Sequence, residues 1–143
     1  MGFVEIIYGL KLVSKMLGKM YPYKDYPNFY NADEFEEDVP DYIYLDFDEV
    51  IKSLKVETDD IKIRYSDWEY YVEYKDSNIK DDSDEKAIII GVVLAKCNIH
   101  YSGVFKVPMV DQHSKNIMNE FMDKHKIFEG IPLELYTYSD EQR

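Results

Sequence analysis

Cys97, His100, His113 and His125 are the side chains able to ligate a soft metal, and their spacing decides what they can do. Cys97-Asn98-Ile99-His100 is close enough to supply two donors to a zinc site, which takes four thiolate or imidazole ligands in a tetrahedron. His113 and His125 bracket an apolar-periodic stretch whose ends lie about 18 Å apart if residues 114–125 are helical. A four-ligand site would need the chain to fold back on itself, and Cys97, closing an apolar run, also reads as a small buried hydrophobe. No third group stands out to orient a Cys-His nucleophilic pair. Oxygen ligands crowd residues 76–85, but the run lacks the turn glycine and the terminal Glu of a helix-loop-helix calcium site. Gly18, Gly91 and Gly103 are isolated and form no phosphate cradle. The sequence assigns no cofactor and no metal.

The other chemistry-bearing stretch is Tyr42-Ile43-Tyr44-Leu45-Asp46-Phe47-Asp48-Glu49-Val50, an apolar strand followed by two carboxylates one residue apart. It resembles the first motif of haloacid-dehalogenase-type phosphatases: apolar strand, Asp, any residue, Asp, any residue, Thr or Val. The resemblance implies Asp46 as phosphoryl acceptor, Asp48 as general acid/base and magnesium to neutralise the gathered charge. Ser66, Lys86, Asp81 and Asp82 are the residues available as partners, none in a matching strand-end context. Glu49 stands where that family has Gly, and fewer than a hundred residues follow for its remaining motifs. The competing reading is structural: Asp46 caps a helix, and Asp48 and Glu49 interact favourably with the dipole of its first turn.

Charge is regional. Residues 31–60 hold twelve acids against Lys52 and Lys55, a net −10 out of −12 for the whole chain. Asp33, Glu34, Glu36, Glu37, Asp38 and Asp41 form its densest part, flanked by Tyr30 and Tyr42. Rings with hydroxyl tips beside carboxylates can receive Arg and Lys side chains, so these eight residues are the candidate partner-binding set. The alternative is a tyrosine-lined core edge with hydroxyls reaching water. A pI near 4.6 and dispersed basic residues speak against phosphate-backbone binding, so no nucleic-acid partner is expected.

The 143 residues suit one domain with one core, and 45% apolar with 15% aromatic residues argues against global disorder. A single cysteine permits no intrachain disulfide and suits a reducing compartment. The start Met1-Gly2-Phe3-Val4-Glu5 has no basic flank, and the longest apolar runs are about half of a bilayer span. An intracellular, cytoplasmic protein without membrane contact is expected.

Those side chains need elements to hold them. Residues 2–10 read as a strand, and Ser14 as the cap of a short helix with Val13, Met16, Leu17 and Met20 on one stripe, ending at Tyr21-Pro22. Residues 21–31, with two prolines and four tyrosines, read as an ordered loop, and Asn31 as the cap of an acidic turn through Asp38. Tyr42–Leu45 reads as a strand, followed by a helix with Phe47, Val50, Ile51 and Leu54 on one face. Alternation over Ile61–Tyr65 and Trp68–Tyr74 predicts a hairpin turning at Ser66-Asp67, and residues 76–85 a mobile loop. Ala87–Cys97 is the most strand-like segment, with Val104–Val107 as a short partner. Ser114 opens a helix carrying Ile117, Met118, Phe121, Met122 and His125 on one side, and Leu133–Tyr138 closes the chain as a strand. The expectation is one α+β domain over residues 1–143, a mainly antiparallel sheet with about three helices on one face.

Ile6-Ile7-Tyr8-Gly9-Leu10-Lys11-Leu12, the apolar strand at Ala87–Cys97 and the closing Pro132-Leu133-Glu134-Leu135-Tyr136 resemble uncharacterised proteins encoded by giant DNA viruses. That resemblance implies an infected-cell cytoplasmic or virion setting and carries over no functional residue. The function expected is a non-enzymatic protein-interaction domain for a basic partner surface. Two readings stand beside it: a small magnesium-dependent phosphoryl-transfer or hydrolytic enzyme using Asp46 and Asp48, and a structural virion component.

Overall fold

The computed structural model describes residues 2–32, 43–66, 72–73, 80–81, 86–99 and 104–141. A twelve-residue strand β1 (Gly2–Val13) leads directly into helix α1 (Ser14–Met20). A 3-10 turn (Pro27–Phe29), strand β2 (Tyr30–Ala32), strand β3 (Ile43–Leu45) and helix α2 (Phe47–Leu54) follow. The rest comprises β4 (Lys62–Tyr65), β5 (Val72–Glu73), β6 (Lys80–Asp81), β7 (Ala87–Ile99), α3 (Gln112–Lys124), a 3-10 turn (Lys126–Phe128) and β8 (Glu134–Glu141). The main sheet runs β4-β7-β1-β8 and is antiparallel throughout, while β2-β3 and β5-β6 are two small ribbons. The described chain is an α+β fold built on this sheet and three α-helices.

Period-two alternation gives the sheet two unlike faces. Leu10 and Leu12 of β1 and Ile88 and Ile90 of β7 point to the helices, where they meet Leu17, Phe47, Val50, Met118, Phe121 and Phe128. α1 presents Leu17, with Met16 and Met20 leaning on the same core and Lys15 and Lys19 outside, as the three- and four-residue spacing predicts. On the opposite face lie Glu5, Ile7 and Ile89, all buried. The sheet's own curl covers much of that face.

Two local features permit the curl. Gly9 pairs with Gly91, and a methyl group added to either would run into the backbone of the other strand, at Ile90 or at Tyr8. Only glycine allows so close a crossing. The β1–β7 register then shifts between Ile6 and Ile7, leaving Leu94 as an extra residue, and such a bulge sharpens the twist. As a result the outermost strands approach one another: the Tyr138 hydroxyl on β8 donates to the Tyr65 carbonyl on β4 at 3.4 Å.

Several sequence expectations shift. β1 runs to Val13, because Lys11 falls on the curled face and Leu12 on the core face, so the strand period continues past residue 10. Val13 is therefore the extended residue before α1, and Ser14 lies inside the helix without capping it. Asn31 sits in β2 opposite Tyr44 instead of capping an acidic turn, and the turn expected over residues 33–38 lies outside the described residues. β4 pairs with Ile88–Gly91 of β7, and the Ser66 amide extends that ladder to the Ala87 carbonyl at 2.9 Å; Asp67 of the turn expected at Ser66-Asp67 and residues 68–71 of its expected partner lie outside the described residues. In that pairing Ile63 and Tyr65 pack against the core beside Ile88 and Ile90 of β7. Val72–Glu73 instead pairs with Lys80–Asp81, which falls within the stretch expected to be a mobile loop; residues 76–79 and 82–85 of that stretch lie outside the described residues. Val104–Val107 is not a strand; the neighbours of β7 are β1 and β4. α3 starts two residues before Ser114, because the carboxylate of Asp111 accepts the Ser114 amide at 2.6 Å and takes the capping role.

Candidate partner-binding surface

The two small strands β2 and β3 bring the tyrosine-rich loop to the start of α2. Tyr30 pairs with Leu45, Asn31 with Tyr44 and Ala32 with Ile43. The Asp46 amide donates to the Phe29 carbonyl at 2.7 Å, and the Asn31 side-chain amide donates to Asp46 Oδ2 at 2.8 Å. Asp46 itself is extended, and its Oδ1 accepts the amides of Asp48 at 3.1 Å and Glu49 at 3.5 Å. Asp46 is thus the N-cap of α2, with both oxygens engaged. Asp48 and Glu49 stand exposed in the first turn, where the positive end of the helix dipole favours them. Glu49 meets Lys52 at 3.6 Å in a solvated ion pair of small energetic weight.

Beside this helix start the rings assemble into a shelf. Tyr21 is buried and makes edge contacts with Tyr26 at 5.2 Å and Phe29 at 5.3 Å between centroids, while Tyr26 and Phe29 stack at 5.3 Å. Tyr23 meets Tyr30 edge-on at 5.5 Å, and the Tyr30 hydroxyl donates to the Tyr21 carbonyl at 2.6 Å. The turn holding these rings closes when the amides of Asp25 and Tyr26 donate to the Pro22 carbonyl. Burial raises the phenol pKa of both Tyr21 and Tyr30, and Tyr26 adds to the effect at Tyr21, so these hydroxyls stay neutral. Tyr23 and Tyr26 remain 49% and 40% exposed. They are half-exposed rings held by their neighbours, flanking Asp25 in sequence, and the Tyr26 ring is linked through Phe29 to Asp46 at the start of α2.

Of the eight residues nominated for partner binding, Tyr30 is placed in this shelf. Asp33, Glu34, Glu36, Glu37, Asp38, Asp41 and Tyr42 lie outside the described residues. Ala32 and Ile43, which flank residues 33–42 in the sequence, pair with each other at the end of the β2–β3 ribbon. In the sequence Tyr21–Tyr30 reads as a set of flanking rings; Pro22, Pro27 and the aromatic spacing are the signals that this loop folds on itself.

The soft ligands do not converge. Cys97 is half-buried on β7, His113 is exposed, and His125 leans on Phe121 at 4.5 Å, where burial and the neighbouring Lys124 lower its pKa. Among the described residues no three of His, Cys, Asp and Glu gather around one point, and His100 is outside them. One charge pair escapes a reading of the sequence. Arg64 clasps Glu5 through two nitrogens, Nε to Oε1 at 2.7 Å and Nη2 to Oε2 at 3.2 Å, inside the curl of the sheet. Glu5 is 3% exposed, and its hydrogen bond raises the pKa of Arg64 further. The signal is a lone acid within the apolar run Phe3–Tyr8.

No helix of the described chain is long and apolar enough to cross a membrane. No protein-family profile matches the sequence, and neither the curated proteins nor the solved structures give a match.

Proposed function

We propose that this chain is a non-enzymatic interaction domain that receives a basic protein surface on its tyrosine shelf and the adjoining acids of residues 31–60. The observation that carries the reading is the exposure of Tyr23 and Tyr26 in ring clusters held by Tyr30 and Phe29, in a loop whose Phe29 carbonyl accepts the Asp46 amide at the start of the acidic helix α2. Rigid rings cost little entropy on binding, and their faces attract guanidinium and ammonium groups. Carboxylates nearby add attraction that salt screens beyond about 8 Å at physiological strength.

The phosphoryl-transfer alternative has less support. Asp46, which that reading needs as a nucleophile, spends one oxygen on the helix amides and the other on Asn31. Partner binding is tested by titrating the chain with Arg- and Lys-rich peptides at low and high salt. Retention should fall as salt rises, and Tyr23→Ala with Tyr26→Ala should weaken it about tenfold, the size of a lost cation–π contact pair. Failure to retain any basic peptide at low salt sinks the proposal.

A further inference from the structure

Residues 104–110 (Val-Phe-Lys-Val-Pro-Met-Val) leave the fold with an unusual combination of properties. They form neither helix nor strand, and among the described residues no backbone hydrogen bond reaches them. Val104, Phe105, Val107 and Met109 are exposed, Val104 fully and Met109 to 89%. Val104 to Val107 are all exposed, and from there Pro108 and Val110 are partly buried on either side of the exposed Met109, so exposure alternates only over the last four residues. An exposed apolar stretch whose backbone groups have no partner among the described residues, with Pro108 placed as edge strands tolerate it, has what a strand needs except a neighbour.

The two ends of the main sheet differ in how they are guarded. β4 is four residues long and carries Lys62 and Arg64, short and charged in the manner that deters strand addition. β8 is eight residues long, pairs with β1 without a bulge, and has an uncharged centre from Leu135 to Ser139. Its charges, Glu134, Asp140 and Glu141, are confined to its ends and are all acidic, whereas the one charge of residues 104–110 is Lys106. No strand of the described chain lies beyond β8, and Leu135 is exposed there. Seven extended residues span about 23 Å, close to the length of β8 at about 3.3 Å per residue.

We propose that residues 104–110 of one copy add as a strand to β8 of a second copy, and reciprocally, forming a two-fold dimer. Each chain carries both the unpaired segment and the accepting edge, so a symmetric exchange satisfies both at once and closes without growing further. Lys106 supplies the complement to the acidic ends of β8. The inference is independent of the basic-partner reading, and salt separates the two. Each copy carries −12, so screening should tighten the dimer, while it should weaken binding of a basic peptide.

Sedimentation equilibrium across a concentration series is the direct test. A dimer is expected at about 100 µM chain and about 0.15 M salt. Val107→Asp with Met109→Asp, on exposed positions, should weaken it at least about tenfold, and so should Thr137→Lys on β8. Hydrogen exchange gives a second readout that needs no variant: amides in 104–110 and 134–141 should gain protection together as concentration rises. A chain that stays monomeric throughout, a dimer indifferent to both variants, or protection arising elsewhere overturns the proposal.

Discussion

Glu5 and the carboxylates at the start of α2 show two ways this acidic chain handles negative charge. Glu5 lies inside the curl of the main sheet, with both oxygens clasped by Arg64 from the far side of β7. Asp46, Asp48 and Glu49 stay near water, Asp46 tied to the helix amides and the Asn31 side chain and Glu49 to a surface lysine. Desolvation accounts for the difference. A carboxylate removed from water must be paired, and the pairing cancels its field; one left in water costs little and keeps its field for a partner. The inner charge therefore serves the architecture, and the outer charges are the ones available to another molecule.

The largest effect should come from breaking the inner pair. Arg64→Ala leaves Glu5 buried without its guanidinium and should cost about 3 kcal/mol in urea unfolding, the low end for a buried pair because Arg64 is 27% exposed. Replacing both by apolar residues, Glu5→Leu with Arg64→Met, should recover most of that loss, since neither desolvated charge remains. If the single and double variants are equally unstable, packing and not charge holds the curl together.

Asp46→Ala should cost about 1 kcal/mol by removing the cap of α2 and the Asn31 tie, whereas Asp46→Asn should keep most of it. A larger loss, comparable to that of Arg64→Ala, would mean that the outer group also carries the fold. Gly18→Ala probes the ground beneath the shelf. The added methyl would sit 3.9 Å from the Tyr30 hydroxyl, an ordinary contact, in the middle of α1. Stabilisation of about 0.5–1 kcal/mol is expected, with the shelf undisturbed in the ring region of the NMR spectrum.

The smallest effect is in acid. The amide and hydroxyl of Ser114 hold the carboxyl of Asp111 below its ordinary value of 3.8. In the window between the folded and unfolded values the unfolded chain binds more protons, so stability rises with pH. The contribution is fully present above pH 3.8 and fades as pH falls through the lower folded value. Asp111→Asn should flatten that part of the acid-unfolding curve, and an unchanged curve would remove the cap from the account.

Much of the fold is legible from short-range pattern. The apolar run at Ala87–Cys97 has to be a central strand, and it extends to Ile99; Asp46 before Phe47–Leu54 has to look like a helix start, and Met118 with Phe121 has to face a core. The departures have a common origin in pairing. Ile61–Tyr65 alternates equally well whether its partner is the next segment or β7, since alternation names a buried side and says nothing about which strand covers it. Ser114 and Asp111 are both good caps, and only the backbone shows whose side chain reaches the orphan amide. The shelf is half legible: proline and tyrosine spacing announce an ordered loop, but which rings remain outside depends on Tyr21 and Phe29 being drawn against the core.

By itself the sequence determined the α+β class, the net charge of −12, the place where that charge is concentrated and the strongest strand and helices, because composition and periodicity are local properties of the chain. Tertiary structure alone decided that Gly9 and Gly91 let two long strands cross closely, that the sheet curls until Tyr138 reaches Tyr65, and that Glu5 and Arg64, 59 residues apart, meet inside it. It also decided that, among the described residues, β8 ends the main sheet with no strand beyond it. Contacts between residues so distant in the chain leave no periodic trace, since each depends on how the whole sheet bends.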